Sequence, residues 1–289
     1  MHKYSLYGAA AAALVAFGLA LGPMPVAGQD PAKDAPKAGG KGGGKGGGKG
    51  GAPKAFVKPT PGPIPRTGDG QPDLNGIWTH PYTPDISASS AVRTGAVLKF
   101  TDWGKKNWES YDASKGDYAG ACLPFGLLRS IGDPHPFQMV QAKNWVALLF
   151  EQNTWFIKIS TDGRPHPKDI DPTWFGDARG TWKDDILTID TIGFNGKTRL
   201  DTNGHPHSDQ MHVVETWQLM NKDQVYYTVK ITDPKTYTEP LFSERIFGRI
   251  SDEDTRKDPT KELMEYSCEE NNKSFFEGRI KLPDYNTWK

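Results

Sequence analysis

A two-residue alternation of apolar and polar side chains recurs between Phe137 and Ile250 and constrains the fold more than any other feature. Leu187, Ile189 and Thr191 alternate with Thr188, Asp190 and Ile192. Tyr227, Val229 and Ile231 alternate with Thr228, Lys230 and Thr232. Successive strand side chains point to opposite faces, so this period, carried by β-branched and aromatic residues, describes half-buried strands. It predicts strands at 137–142, 145–152, 154–160, 179–183, 185–192, 210–219, 224–232 and 241–250. Gln71-Pro-Asp-Leu-Asn-Gly-Ile-Trp78 adds a turn and a short strand ahead of them. One short helix is expected near 101–115: Thr101 suits an N-cap, Asp102 the first turn, and Trp103, Asn107, Trp108 and Tyr111 follow at helical spacing.

Short connections join antiparallel neighbours. A row of such strands leaves exposed edges unless the sheet closes on itself. The expected fold is therefore mostly β, an antiparallel meander forming a lipocalin-like barrel or a strongly curved half-barrel, with a two-sheet sandwich as the alternative. The connections near Asn153, Lys183–Asp185 and Asn221–Asp223 read as tight turns, whereas those at 161–178, 193–209 and 233–240 are long. Alternate connections of an up-and-down meander share an end. The three long loops are expected at one mouth and the tight turns at the other, and loops on a rigid scaffold concentrate binding groups.

These loops hold the candidate site. The first contributes Arg164, His166, Trp174 and Asp177; the second Asn195, Arg199, Asp201, His205 and His207; the third Tyr237. Such a mixture of titratable and aromatic groups suits a pocket for a small polar or amphipathic molecule. His80, His135, His166 and His205 each precede Pro, which holds them in extended geometry; the same pairs are also ordinary turn chemistry. His205 and His207, with Asp177, are candidates for acid–base work, and Arg164 or Arg199 for stabilising developing negative charge. His205, His207 and His212 are candidate ligands for a divalent metal such as zinc; the alternative is no cofactor. Their spacing is not that of an H-E-x-x-H motif. His212 and Glu215 lie an odd number apart on one strand and must face opposite sides of the sheet. Asp201 has a plainer reading as a turn cap for Thr202 and Asn203. No G-x-S-x-G, P-loop or dinucleotide fingerprint is present.

Outside the strands, Lys3 precedes an apolar run from Ala9 to Leu21, and small residues at Val26-Ala27-Gly28 fit a signal peptide, 1–28, cut after Gly28. Pro23 and Pro25 end the apolar run before it is long enough to span a bilayer, so no transmembrane segment is expected after cleavage. Residues 29–66 read as a disordered Lys/Gly/Pro-rich linker with seven Lys and one Arg against Asp30 and Asp34. Its charge suits an anionic envelope surface, or simply a solvated spacer. Residues 67–289 read as a single β-rich domain with 26 basic and 33 acidic groups, a balance that speaks against nucleic acid as partner. The two cysteines, Cys122 and Cys268, are not in a C-x-x-C arrangement and are expected to form a long-range disulfide in a periplasmic or extracellular setting.

The motifs Pro72-Asp-Leu-Asn-Gly-Ile-Trp78, Asp162-Gly-Arg-Pro-His166-Pro, Pro172-Thr-Trp174-Phe-Gly-Asp177, Gly193-Phe-Asn195, Leu200-Asp-Thr-Asn-Gly-His205-Pro-His207-Ser and His212-Val-Val-Glu215 stand in one order. In these the chain resembles a large, uncharacterised group of secreted bacterial proteins, over residues 71–272. The resemblance implies an exported soluble protein of this layout, and the Lys/Gly leader is not part of it. Three readings of function follow: capture of a small ligand at the loop mouth, an enzyme (hydrolase, lyase or isomerase) using His205 or His207 there, or an envelope interaction protein.

Overall fold

The computed structural model describes residues 57–79, 81–87, 98–113, 117–269 and 277–278. The signal peptide and residues 29–56 of the linker lie outside them. Nine strands form one closed barrel in sequence order: β1 (Gly76–Thr79), β2 (Phe137–Ala142), β3 (Trp145–Phe150), β4 (Phe156–Ser160), β5 (Asp177–Lys183), β6 (Ile186–Ile192), β7 (His212–Asn221), β8 (Gln224–Thr232) and β9 (Leu241–Ile250). The short strand β1 closes the ring by pairing antiparallel with both β2 and β9. The helix expected after Thr101 is α1 (Asp102–Glu109); Thr101 Oγ1 accepts from Gly104 N–H at 3.1 Å. Two further short helices are α2 (Leu127–Gly132) and α3 (Asp252–Lys257).

A ring with an odd number of strands cannot alternate in direction all the way round, so one neighbouring pair must be parallel. That pair is β4 and β5, joined at Ser160 and Arg179. The parallel step corrects the expected arrangement of connections. The connector 161–176 leaves the end where β4 finishes and runs to the opposite end, where β5 begins. The turn at Asn153 falls at the same end as the loops 193–211 and 233–240. The turns at 143–144, 184–185 and 222–223 occupy the other end. The long connector between β1 and β2, with α1 and α2, also lies at the loop end. Its last helix, α2, is buried at every residue; Ile131 O accepts from the Arg245 guanidinium at 2.9 Å, which seats the helix in the barrel mouth.

The alternation decides the two faces as expected. Val213, Glu215, Trp217 and Leu219 point inward, and His212, Val214, Thr216 and Gln218 outward. The lumen is filled by Trp78, Phe137, Met139, Leu148, Trp217, Tyr227 and Phe247. The Phe137, Trp217, Tyr227 and Phe247 rings meet at centroid distances of 4.9–5.9 Å, tilted, edge-on or stacked. Burial of aromatic surface on this scale is the main source of stability for a sheet closed on itself.

The last ten residues of the stretch read as linker, 57–66, are laid along this body. Gly62 N–H donates to Met220 O at 2.8 Å, Pro65 O accepts from Asp73 N–H at 2.9 Å, and Arg66 makes a two-pronged pair with Asp185. Val57 remains 75 % exposed; docking is by backbone, the buried Pro59, Ile64, Arg66 and Lys58, whose Nζ donates to Gln218 Oε1 at 3.2 Å and lies 4.3 Å over the Tyr226 ring. Cys122 and Cys268 form the expected disulfide, bringing the stretch beyond α3 back to the loop end, where Glu151 accepts from Met264 N–H at 2.9 Å.

Candidate functional site

Hydrogen bonds tie the long loops into one rim. Asp233 accepts from Ser208 N–H at 2.6 Å and from Ser208 Oγ at 2.7 Å, and Pro206 O accepts from Tyr237 OH at 2.8 Å. Thr173 and Asn195 exchange backbone bonds with the adjoining connector: Thr173 N–H donates to Gly193 O and Asn195 N–H to Thr173 O. The β1–β2 connector closes over them. Thr101 N–H donates to Thr236 O at 3.0 Å, Asn203 N–H to Pro84 O at 3.0 Å, and Phe100 pairs as an isolated bridge with Tyr237.

The centre of this rim is an Asp–His pair. Asp201 and His205 are 2 % and 1 % exposed. Asp201 Oδ2 accepts from His205 Nδ1 at 2.6 Å and from Ile86 N–H at 2.7 Å, while Oδ1 accepts from His205 N–H at 3.1 Å. Three donors hold the carboxylate, and the carboxylate fixes the imidazole with its proton on Nδ1. The ring is stacked on Trp108 at 5.2 Å; Phe100 lies beyond, 5.3 Å from Trp108 and 5.2 Å from Tyr237. His205 Nε2 makes no hydrogen bond among the described residues. Asp85, its side chain 29 % exposed, sits at the edge with Oδ1 3.9 Å from His205 Nδ1. Asp85, Asp201 and His205 are the one set of three His or carboxylate ligand atoms within 4.8 Å of each other among the described residues.

The other histidines go elsewhere. His207 is buried; its Nδ1 donates to Ser208 O at 3.0 Å, so its Nε2 accepts from Thr198 Oγ1 at 2.6 Å. Burial pushes its pKa down, which keeps the ring neutral. His166 lies on the outer wall, with Nδ1 2.6 Å from Asp177 Oδ1 and Nε2 3.3 Å from Asp190 Oδ1. His212, also on the outer wall, places Nε2 2.9 Å from the same Asp190 oxygen. The structure thus brings together His205, Asp201 and Tyr237, and parts them from His166 and Asp177. The set His205, His207 and His212 is divided among three separate partners, and His207 is not grouped with His205 and Asp177.

The remaining candidates serve the loops that carry them. Arg164 holds Asp162 in its own exposed turn, and Asn195 Oδ1 caps Lys197 N–H. Trp174 is half-buried. Arg199 is buried, donates to Asn107 Oδ1 at 2.5 Å and lies 4.8 Å over the Tyr111 ring; burial lowers its pKa to about 10. The sequence reading missed Asp85, Phe100, Asn107 and Trp108. The helix bearing Asn107 and Trp108 was legible, but nothing in its own spacing says at which end of the barrel it lies. A groove of about 770 Å³ opens at the turn end, between β1, β9 and α3. Its most prominent cation, Arg249, donates to the carbonyls of Asp73, Asn75 and Lys222 and closes that end of the barrel.

No protein-family model matches the chain, and no curated protein does.

Proposed function

We propose that the protein is exported and binds a small polar or amphipathic molecule at the loop end of its barrel. The observation that carries this reading is the Asp201–His205 pair, buried in a stack of aromatic rings with Nε2 left without a hydrogen bond among the described residues. Phe100 and Trp108 offer flat apolar faces, and the oriented imidazole offers one polar anchor, the combination typical of ligand sites. Asp85 and the half-exposed Tyr82 form the approach; Tyr82 OH lies 3.3 Å from Thr202 Oγ1. With the lumen filled by side chains, the ligand sits on the rim rather than within the barrel.

A second reading gives the same pair an acid–base role. A carboxylate that accepts a hydrogen bond from Nδ1–H holds the proton there and leaves Nε2 as base, the arrangement that orients a catalytic histidine. In both readings the long-range disulfide suits an oxidising compartment, and no described helix is long and apolar enough to cross a membrane. The basic leader would hold the protein near an anionic surface.

A thermal-shift screen of small carboxylates, sugars and amphiphiles tests the proposal. Ligand at a hundred times its Kd stabilises by about 2.7 kcal/mol, which raises Tm by roughly 5–10 °C in a domain of this size. True ligands shift the wild type and lose most of that shift in Trp108→Ala and His205→Ala. A ligand whose shift survives both variants binds elsewhere and defeats the reading. Turnover lost in His205→Ala with binding retained selects the enzyme.

A further inference from the structure

We infer that the rim site selects an uncharged aromatic ring bearing one hydroxyl group, a phenol, whose O–H donates to His205 Nε2. This names the ligand class for the site proposed above and rests on that reading.

The polarity of the anchor follows from its partners. The Asp201 carboxylate accepts from Ile86 N–H at 2.7 Å and from His205 N–H at 3.1 Å. A carboxylate only accepts, so His205 Nδ1, 2.6 Å from Asp201 Oδ2, carries a proton. In the neutral ring the other nitrogen then presents a lone pair. His205 is 1 % exposed, and Nε2 makes no hydrogen bond among the described residues. A buried acceptor of this kind gains by meeting a donor and costs free energy without one.

One acceptor calls for one donor. A phenol has a single O–H and is satisfied by a single anchor. An ammonium carries three N–H groups and a charge, and a pyranose carries several hydroxyls; on one anchor both bury polar groups without partners. The neighbouring Asp85 carboxylate is already engaged, accepting from Ser87 N–H at 2.8 Å, from Ser87 Oγ at 2.5 Å and from Asn203 Nδ2 at 3.1 Å. A ligand carboxylate has no proton to donate at neutral pH and would set its charge beside Asp85 and Asp201.

The rings decide the body of the ligand. The His205 ring lies 5.2 Å from Trp108, with 24° between the planes, and Phe100 lies 5.3 Å from Trp108 at 14°. Phe100 and Trp108 are both half-buried, and Tyr82 at the approach is 45 % exposed. The Nε2 lone pair lies in the imidazole plane, close to parallel with the indole. An indole is wider than an imidazole, so a flat ring laid on Trp108 beside His205 lies nearly in that plane. Its own in-plane hydroxyl then points at Nε2, with apolar contact on the ring face.

The test titrates five probes into the full-length protein at neutral pH: phenol, anisole, benzoate, benzylamine and methyl glucoside. Ligand-observed NMR gives affinity, and histidine-selective ¹⁵N NMR reports the His205 ring, assigned through its contact with Trp108. Phenol should bind and move the Nε2 signal. Anisole keeps the ring and the oxygen but has no O–H, and should bind about tenfold more weakly or worse. Benzoate, benzylamine and methyl glucoside should bind no better than anisole. The comparison is made on the wild type and needs no variant to fold. An Nε2 that carries a proton in the free protein, equal affinity for phenol and anisole, or tighter binding of any of the other three overturns this inference. The rim reading survives each of those results if the probe that binds perturbs the His205 ring signals. Perturbation of that ring by none of the five overturns both.

Discussion

Replacing Glu215 by Gln should remove a pH dependence that one buried carboxyl imposes on folding. Glu215 points into the lumen from β7, 2 % exposed, and accepts from Tyr227 OH at 2.9 Å. Burial raises its pKa from 4.5 to about 7, against the opposing effects of the Tyr227 hydrogen bond and the Arg245 charge. The unfolded chain therefore releases this proton first. Stability from this group is fully present below about pH 4.5, falls as pH rises, and levels off above about pH 7. The gap corresponds to about 3 kcal/mol over the whole window, of which about 2–3 kcal/mol falls between pH 5 and pH 8. Gln keeps the shape and still accepts from Tyr227, but it does not ionise. Urea unfolding of both proteins at pH 5 and pH 8, with the disulfide intact, gives the comparison directly. Carboxylates held low by ion pairs, such as Asp185 beside Arg66, trend the other way but are common to both proteins and cancel. The variant should gain about 2–3 kcal/mol on the wild type between pH 5 and pH 8. A difference that stays constant across this range would refute the reasoning.

Three further outcomes follow from the packing. Cys122→Ser or Cys268→Ser should lower unfolding free energy by about 3–5 kcal/mol, since the bridge spans 146 positions and constrains most of the unfolded chain; chemical denaturation measures it. Gly104→Ala should destabilise by about 2 kcal/mol or more although Ala is the better helix former, because a Cβ there would lie 2.2 Å from Thr236 O; a lower Tm is the readout. His207→Ala should cost about 2–4 kcal/mol by orphaning Thr198 Oγ1 and Ser208 O, whereas His212→Ala, half-exposed, should stay within about 0.5 kcal/mol.

The strand periods were legible because each inner and outer face is decided locally, residue by residue. That His212 and Glu215 face opposite sides follows from that alone; that Glu215 is the one inside is seen only in the closed barrel. The short α2 was not, since a six-residue helix buried on every side has no polar face to reveal its period. The placement of His166 depended on a global property. Counting eight strands after Phe137 suggested strict alternation of direction, but β1 makes the ring odd and forces the parallel step at β4 and β5. That step turns the connector 161–176 into a crossing strap, which sets His166 against Asp177 and Asp190 on the wall rather than beside His205. The Asp201–His205 contact lies within one loop, yet a turn cap for Thr202 and Asn203 is the plainer reading of Asp201 from sequence. What decides it is Ile86 and Trp108, from a connector whose position no local pattern encodes.

The closing strand also orders events in time. β1 is made early, yet one of its two partners, β9, is synthesised roughly 170 residues later. Ring closure must therefore wait until nearly the whole chain exists, and the early segment stays unzipped on one flank until then. A chain halted before Leu241 presents a sheet open on both sides, a form prone to stick to its own kind. The four-residue brevity of β1 limits that hazard, because it offers a growing neighbour little to grip.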